Sequence, residues 1–237
     1  MGVSSGRIRL VVVITDVLYS IQQTTDGGYI LGGYSDSDVS GDKSENCNGD
    51  HDYWIVKVDS LGDIQWQNTI GGSLSDNLYS IQQTSDGGYI LGGCSKSNIS
   101  RDKTENCNGF DDYWIVKVDS LGVIQWENTI GGSIIDYLYS IQQTTDGGYI
   151  LGGYSGSNVS GDKTENCIGG YDYWIVKVDS QGVIQWQKTI GGDLGGMYCT
   201  MQFNRPMMGD IFWVEGPIHL FLEIKRKIIW AVWIIGL

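Results

Sequence analysis

The chain has 237 residues and a formal net charge of −13, with 35 glycines and only two prolines. An acidic surface of this size excludes a nucleic-acid-binding role, because phosphate contacts need clustered Lys and Arg. Abundant Gly, Tyr and Trp beside few charged residues favour tight turns and aromatic-rich strands over helices.

Residues 1–15 carry the apolar run Leu10 to Ile14. It is too short for a secretory leader core and lacks a small-residue cleavage site. From Leu18 onward one period dominates. The segments Leu18 to Gly72, Leu78 to Gly132 and Leu138 to Gly192 align without a gap. The second and third units match at roughly three-quarters of positions, the mark of a duplicated supersecondary unit.

Each unit predicts four short strands. In the first, Tyr19 to Thr24 and Tyr29 to Tyr34 flank Asp26-Gly27-Gly28, whose Asp-Gly pair suits a hairpin needing positive φ. A polar loop from Ser35 to Asp52 leads to a third strand, Tyr53 to Val58. The turn Asp59 to Gly62 then gives a fourth, Ile64 to Ile70. No helical period runs through the units, and both prolines lie beyond them.

Four strands per sixty-residue repeat is the blade pattern of a β-propeller. The expected fold is all-β, with three intact blades forming an incomplete, open propeller. Residues 16–76, 77–136 and 137–195 are the three repeats. Trp54, Trp114 and Trp174, like Trp66, Trp126 and Trp186, recur at fixed positions and are expected to pack between blades. The doublets Gly32-Gly33, Gly92-Gly93 and Gly152-Gly153 are expected where backbones crowd near the propeller axis. No helix follows them, so they are not phosphate loops.

Candidate chemistry is sparse. His51 has Asp111 and Tyr171 as its counterparts, so no histidine recurs, and the recurring Cys47, Cys107 and Cys167 have no neighbouring base. Equivalent thiols on neighbouring blades are too far apart for a disulfide. A bridge from Cys94 to Cys107 within one repeat is left open, as is the redox state of the recurring thiols. No residue is nominated as catalytic or cofactor-binding, and no cofactor is expected.

The long loop of the first unit holds Asp36, Asp38, Asp42, Glu45, Asp50 and Asp52. Calcium wants several such oxygens. The spacing fits no known calcium loop, however, and the second unit has Lys96 for Asp36, so a solvated loop is the reading and metal ligation stays open. Differences between units gather there. Gly41 stands against Arg101, and Asp50-His51 against Phe110-Asp111 and Gly170-Tyr171. That rim is where a ligand or partner is expected, since rigid scaffolds present function on loops.

After Gly192 the period stops. Reading the third base of each codon with the next two from Met201 permits the missing hairpin, and Ser4 to Val13 permits a preceding strand in the same frame. Residues 1–15 and 196–237 are therefore expected to be out-of-frame remnants of flanking blades, the chain being a fragment of a longer array. The apolar tail from Ile228 to Leu237 falls short of the ~20 residues a membrane span needs.

The run Asp112 to Gly132 followed by Leu138 to Gly153 resembles bacterial β-propeller repeats of secreted and cell-surface proteins. The Gly-Gly doublet looks like kelch blades, and Asp59-x-x-Gly62-x-x-x-Trp66 looks like the docking motif of quinoprotein propellers. The cysteine-bearing loop departs from that pattern, and nothing matches a quinone site. The resemblance implies an extracellular or surface module with a binding or structural role, non-enzymatic, its ligand a protein or glycan. The alternative is an enzyme whose catalytic residues lie outside these blades. Open blade faces are expected to self-associate.

Overall fold

A computed structural model describes residues 15–193. Of the remnants expected at residues 1–15 and 196–237, all but Thr15, with His219 and Cys199, lie outside the described residues. Twelve strands make three four-stranded antiparallel sheets, and no helix occurs among the described residues. The first sheet holds β1 (Asp16–Gln23), β2 (Tyr29–Ser35), β3 (Asp52–Val58) and β4 (Ile64–Ile70) in sequential order. The second repeats this with β5 (Asp76–Gln83), β6 (Tyr89–Ser95), β7 (Asp112–Val118) and β8 (Ile124–Ile130). The third has β9 (Asp136–Gln143), β10 (Tyr149–Ser155), β11 (Asp172–Val178) and β12 (Ile184–Ile190). The sheets are open, propeller-like blades and do not close into a barrel.

The first strand of each blade is longer than the sequence pattern indicates, because it begins at the aspartate and not at the tyrosine. Asp16 pairs with Ser35 in register. The hairpin turn does rely on glycine, since Gly27 has φ +86°, a value that other L residues reach only with strain. Lys57 holds that turn to the third strand. Its Nζ lies 2.9 Å from Asp26 and 3.0 Å from the Val58 carbonyl, and Lys117 and Lys177 repeat the arrangement.

β1, β5 and β9 lie side by side and are the inner strands, while β4, β8 and β12 are outermost. Two cores form between successive blades. In the first, Ile30, Tyr53, Ile55 and Ile70 of one blade close over Leu78, Leu91, Trp114, Val116 and Val118 of the next. The second core repeats it one blade on. Four of the six tryptophans pack between blades as expected, Trp114 and Trp174 buried in the two cores and Trp66 and Trp126 against them: Tyr53 meets Trp114 with ring centroids 4.8 Å apart, and Trp66 meets Tyr89 at 5.8 Å. Trp54 and Trp186, on the two outer faces, have no blade across from them among the described residues.

The glycine doublets lie within the second strand rather than at its end, and their crowding comes from two directions. A Cβ on Gly92 would stand 2.8 Å from Leu138 of the next blade, and one on Gly93 would stand 2.0 Å from the Asn77 carbonyl of its own inner strand.

Candidate functional site

One edge of each blade carries the tight hairpins. The opposite edge carries the long second-to-third-strand loop and the connection to the next blade. On that loop edge the inner strands are bulged: register slips between Leu18 and Ser20, and between Leu78 and Ser80, so Tyr19 and Tyr79 have no direct cross-strand partner. Such bulges re-aim a side chain. Here they bring Tyr19, Tyr79 and Tyr139 of three blades into a row, with centroid separations of 4.9 and 5.1 Å.

Around this row stand the positions at which the otherwise near-identical blades differ in chemistry. Val17, Asn77 and Tyr137 pair across the sheet with Tyr34, Cys94 and Tyr154 respectively. Beside these come His51, Asp111 and Tyr171. His51 lies 4.9 Å from the Tyr34 ring, Tyr154 lies 5.4 Å from both Tyr137 and Tyr171, and Lys96 Nζ lies 3.9 Å from Asp111 Oδ1. The Tyr137 hydroxyl reaches back across the blade boundary to the Asp111 carboxylate.

Burial dominates the electrostatics. It pushes the Asp111 carboxyl above its ordinary range, against the pull of Lys96 and Tyr137. Asp111 is 3% exposed, and its Oδ1 has no hydrogen-bond partner, like Oδ1 of neighbouring Asn77. Burial likewise pushes the Tyr19 hydroxyl up to about 12 and the Cys94 thiol well above its usual value, so both keep their protons. The arrangement offers stackable phenol rings, hydroxyl donors and two buried acceptors.

The recurring cysteines stand elsewhere, in structural roles. Cys47 Sγ donates to the Ser35 carbonyl at 3.2 Å and to Asp52 Oδ2 at 3.0 Å, and Cys107 and Cys167 contact Ser95 and Ser155 in the same way. Burial pushes Cys47 up to about 12 and Cys107 up to about 11. Cys94 and Cys107 are free thiols, not a bridge.

Three carboxylates of the acidic loop, Asp36, Glu45 and Asp52, accept backbone N–H groups. Glu45 accepts the Thr69 N–H at 2.6 Å, and Asp52 Oδ2 accepts the Asn48 and Gly49 N–H groups. Among the described residues no three His, Cys, Asp or Glu side chains converge on a position that could hold a metal ion.

Sequence reasoning placed His51, Asp111 and Tyr171 on a variable rim, and the structure brings them beside the inner strands. It missed Tyr19, Tyr79 and Tyr139, because an invariant tyrosine in a strand reads as core and the bulge that re-aims it has no sequence mark. It also missed Lys43. This lysine is 3% exposed, donates to the Glu45 carbonyl at 2.6 Å and to Thr69 Oγ1 at 2.7 Å, and lies over the Trp54 ring. No protein-family model and no curated protein matches this chain.

Proposed function

We propose that the chain is a non-enzymatic binding module that takes a neutral glycan against the tyrosine-rich end of its inner strands. The observation that carries this reading is the convergence of the blade-to-blade differences. Residues 17, 34, 36 and 51 and their counterparts change from blade to blade, while the cores between blades repeat almost unchanged. Three equivalent scaffolds thereby present one asymmetric surface.

Tyrosine suits that role, since it combines a flat apolar ring with a hydrogen-bonding tip at little entropic cost. The net charge of −13 disfavours polyanionic ligands. The resemblance to secreted propeller repeats supports an extracellular setting.

The test is binding of the full chain to a panel of immobilised neutral oligosaccharides, repeated with Tyr19→Ala and Tyr34→Ala. A tenfold or greater loss of binding in both variants at unchanged melting temperature is expected. Absence of saccharide binding, or binding indifferent to both substitutions, overturns the reading.

A further inference from the structure

The two outer blade faces carry the same residues as the faces buried inside, and among the described residues nothing covers them. Leu78 and Leu138 are both 0% exposed under the preceding blade, whereas their counterpart Leu18 is 55% exposed. Ile81 and Ile141 are 4% and 2% exposed, and Ile21 is 61% exposed. At the other end, Ile70 and Ile130 are 2% and 1% exposed under the following blade, while Ile190 is 49% exposed beside Trp186 at 51%.

On the first blade this leaves a groove of about 290 Å³, lined by Leu18, Leu31, Trp54, Val56 and Ile64 with Asp42 at its edge. In the second blade the equivalent side chains are sealed by Ile30, Tyr53, Ile55 and Ile70 of the first. The third blade presents Ile150, Tyr173, Ile175 and Ile190 at those positions. The trailing face that fits the groove therefore already exists on this chain.

We infer that the occupant of the groove is the trailing face of a second copy of this chain, docked head to tail. Polar groups agree with the apolar ones. Asp102 Oδ2 accepts the Gly71 N–H of the preceding blade at 3.1 Å, and Asp162 accepts that of Gly131 at 3.1 Å. Asp42 and Gly191 are the remaining acceptor and donor of this series. A Cβ on Gly72 or Gly132 would stand 2.4 Å from Ser97 or Ser157 of the next blade, whereas one on Gly192 meets nothing within 4 Å among the described residues. That vacant space matches Ser37 of a second copy.

The strongest argument for a second copy is a pair of substitutions that only this junction brings together. Inside the chain, Asn68 Nδ2 donates to the Gly122 carbonyl and Asn128 Nδ2 to that of Gly182, each at 2.6 Å and each beside a valine, Val123 or Val183. In the third blade the asparagine is Lys188, and in the first blade the valine is Asp63. Lys188 Nζ lies 2.6 Å from Glu165 Oε1 of its own blade, and a head-to-tail junction would set this lysine also against Gly62 and Asp63, an opposite-charge approach that no internal junction contains.

Two copies joined at both ends supply six blades, within the ~4–8 of closed propellers, whereas three copies would exceed it. The assembly is thus a closed dimer with two identical junctions. It stands independently of any glycan at the tyrosine row.

The experiment is sedimentation velocity on the full chain, whose monomer mass is 26.1 kDa. A species of twice that mass is expected. Leu18→Lys and Trp186→Lys should each be monomeric with an unchanged far-ultraviolet circular dichroism spectrum. Mixed, they should regain a dimer, since one partner keeps an intact groove and the other an intact trailing face. Lys188→Glu should weaken the dimer severalfold, and adding Asp63→Lys should restore it. A monomeric wild type at tens of micromolar, a mixture that stays monomeric, or a dimer surviving Trp186→Lys would each overturn the head-to-tail junction. Open-ended polymers would overturn its closure at two copies.

Discussion

The hydroxyl of Tyr53 donates to the backbone carbonyl of Trp114 in the next blade at 2.9 Å, and Tyr113 does the same to Trp174 at 2.9 Å. Each bond spans a blade boundary through a side chain that is 0% exposed. Successive blades are thus tied by a directed contact within an otherwise apolar core, which fixes the register of one sheet on the next.

Tyr113→Phe keeps the ring and removes only that bond. A lost buried hydrogen bond costs about 1–2 kcal/mol, including the acceptor left bare. Thermal unfolding should show a melting temperature lowered by a few degrees, with the fold otherwise retained. An unchanged melting temperature would mean that the bond is not formed in solution.

Arg101 provides a second test, built on a difference between repeats. It sits at φ +55°, where its counterparts are Gly41 at +56° and Gly161 at +55°. The left-handed region costs a non-glycine residue roughly 1–2 kcal/mol, part of which glycine's greater unfolded-state freedom offsets. Arg101→Gly should therefore raise stability by about 0.5–1 kcal/mol in a urea titration. The same substitution in reverse, Gly41→Arg, where a Cβ meets nothing within 4 Å, should lower it by a similar amount.

The strands were legible in the sequence because Asp-Gly turns, alternating aromatics and an exact period all mark the same boundaries. The second and third strands each gain one residue, Ser35 and Asp52, and bounds moved most at β1, β5 and β9, where Asp16, Asp76 and Asp136 extend the inner strand into what reads as a polar linker. The candidate site was half legible. His51, Asp111 and Tyr171 stood out by differing, yet their meeting with Tyr34, Cys94 and Tyr137 depends on cross-strand and cross-blade register that no local pattern encodes. Lys43 went unremarked because a loop lysine reads as solvated, whereas its ammonium lies over the Trp54 ring and is satisfied by a carbonyl and a hydroxyl.

The thiols should be inert in the folded chain. Burial raises Cys47 to about 12 and Cys107 to about 11, and it raises Cys94 and Cys167 as well. Only the thiolate attacks an alkylating reagent. At pH 8 these four side chains should resist iodoacetamide in the native protein and react fully in denaturant, as read by peptide mass mapping. Rapid native labelling at Cys47 or Cys107 would contradict the burial seen here.

Stability should peak in mild acid. Burial pushes Asp112 up to about 7 and Asp76 up to about 6, whereas an aspartate in the unfolded chain titrates near ~3.9. Between these values the folded state keeps protons that the unfolded state has released, so stability falls as pH rises from about 4 to about 7 and levels off beyond. Each group contributes a slope of at most ~1.4 kcal/mol per pH unit. Asp146 acts in the opposite sense. The Thr144 hydroxyl, Lys177 and the Gly148 N–H hold it down to about 2, so its contribution is present above the unfolded value and lost as pH falls toward 2. Together these place the maximum near pH 4 to 5. Urea midpoints at pH 4.5, 6 and 7.5 should decline in that order, and Asp112→Asn should flatten the decline. A midpoint that rises toward neutrality would mean that Asp112 and Asp76 are ionised in the folded protein.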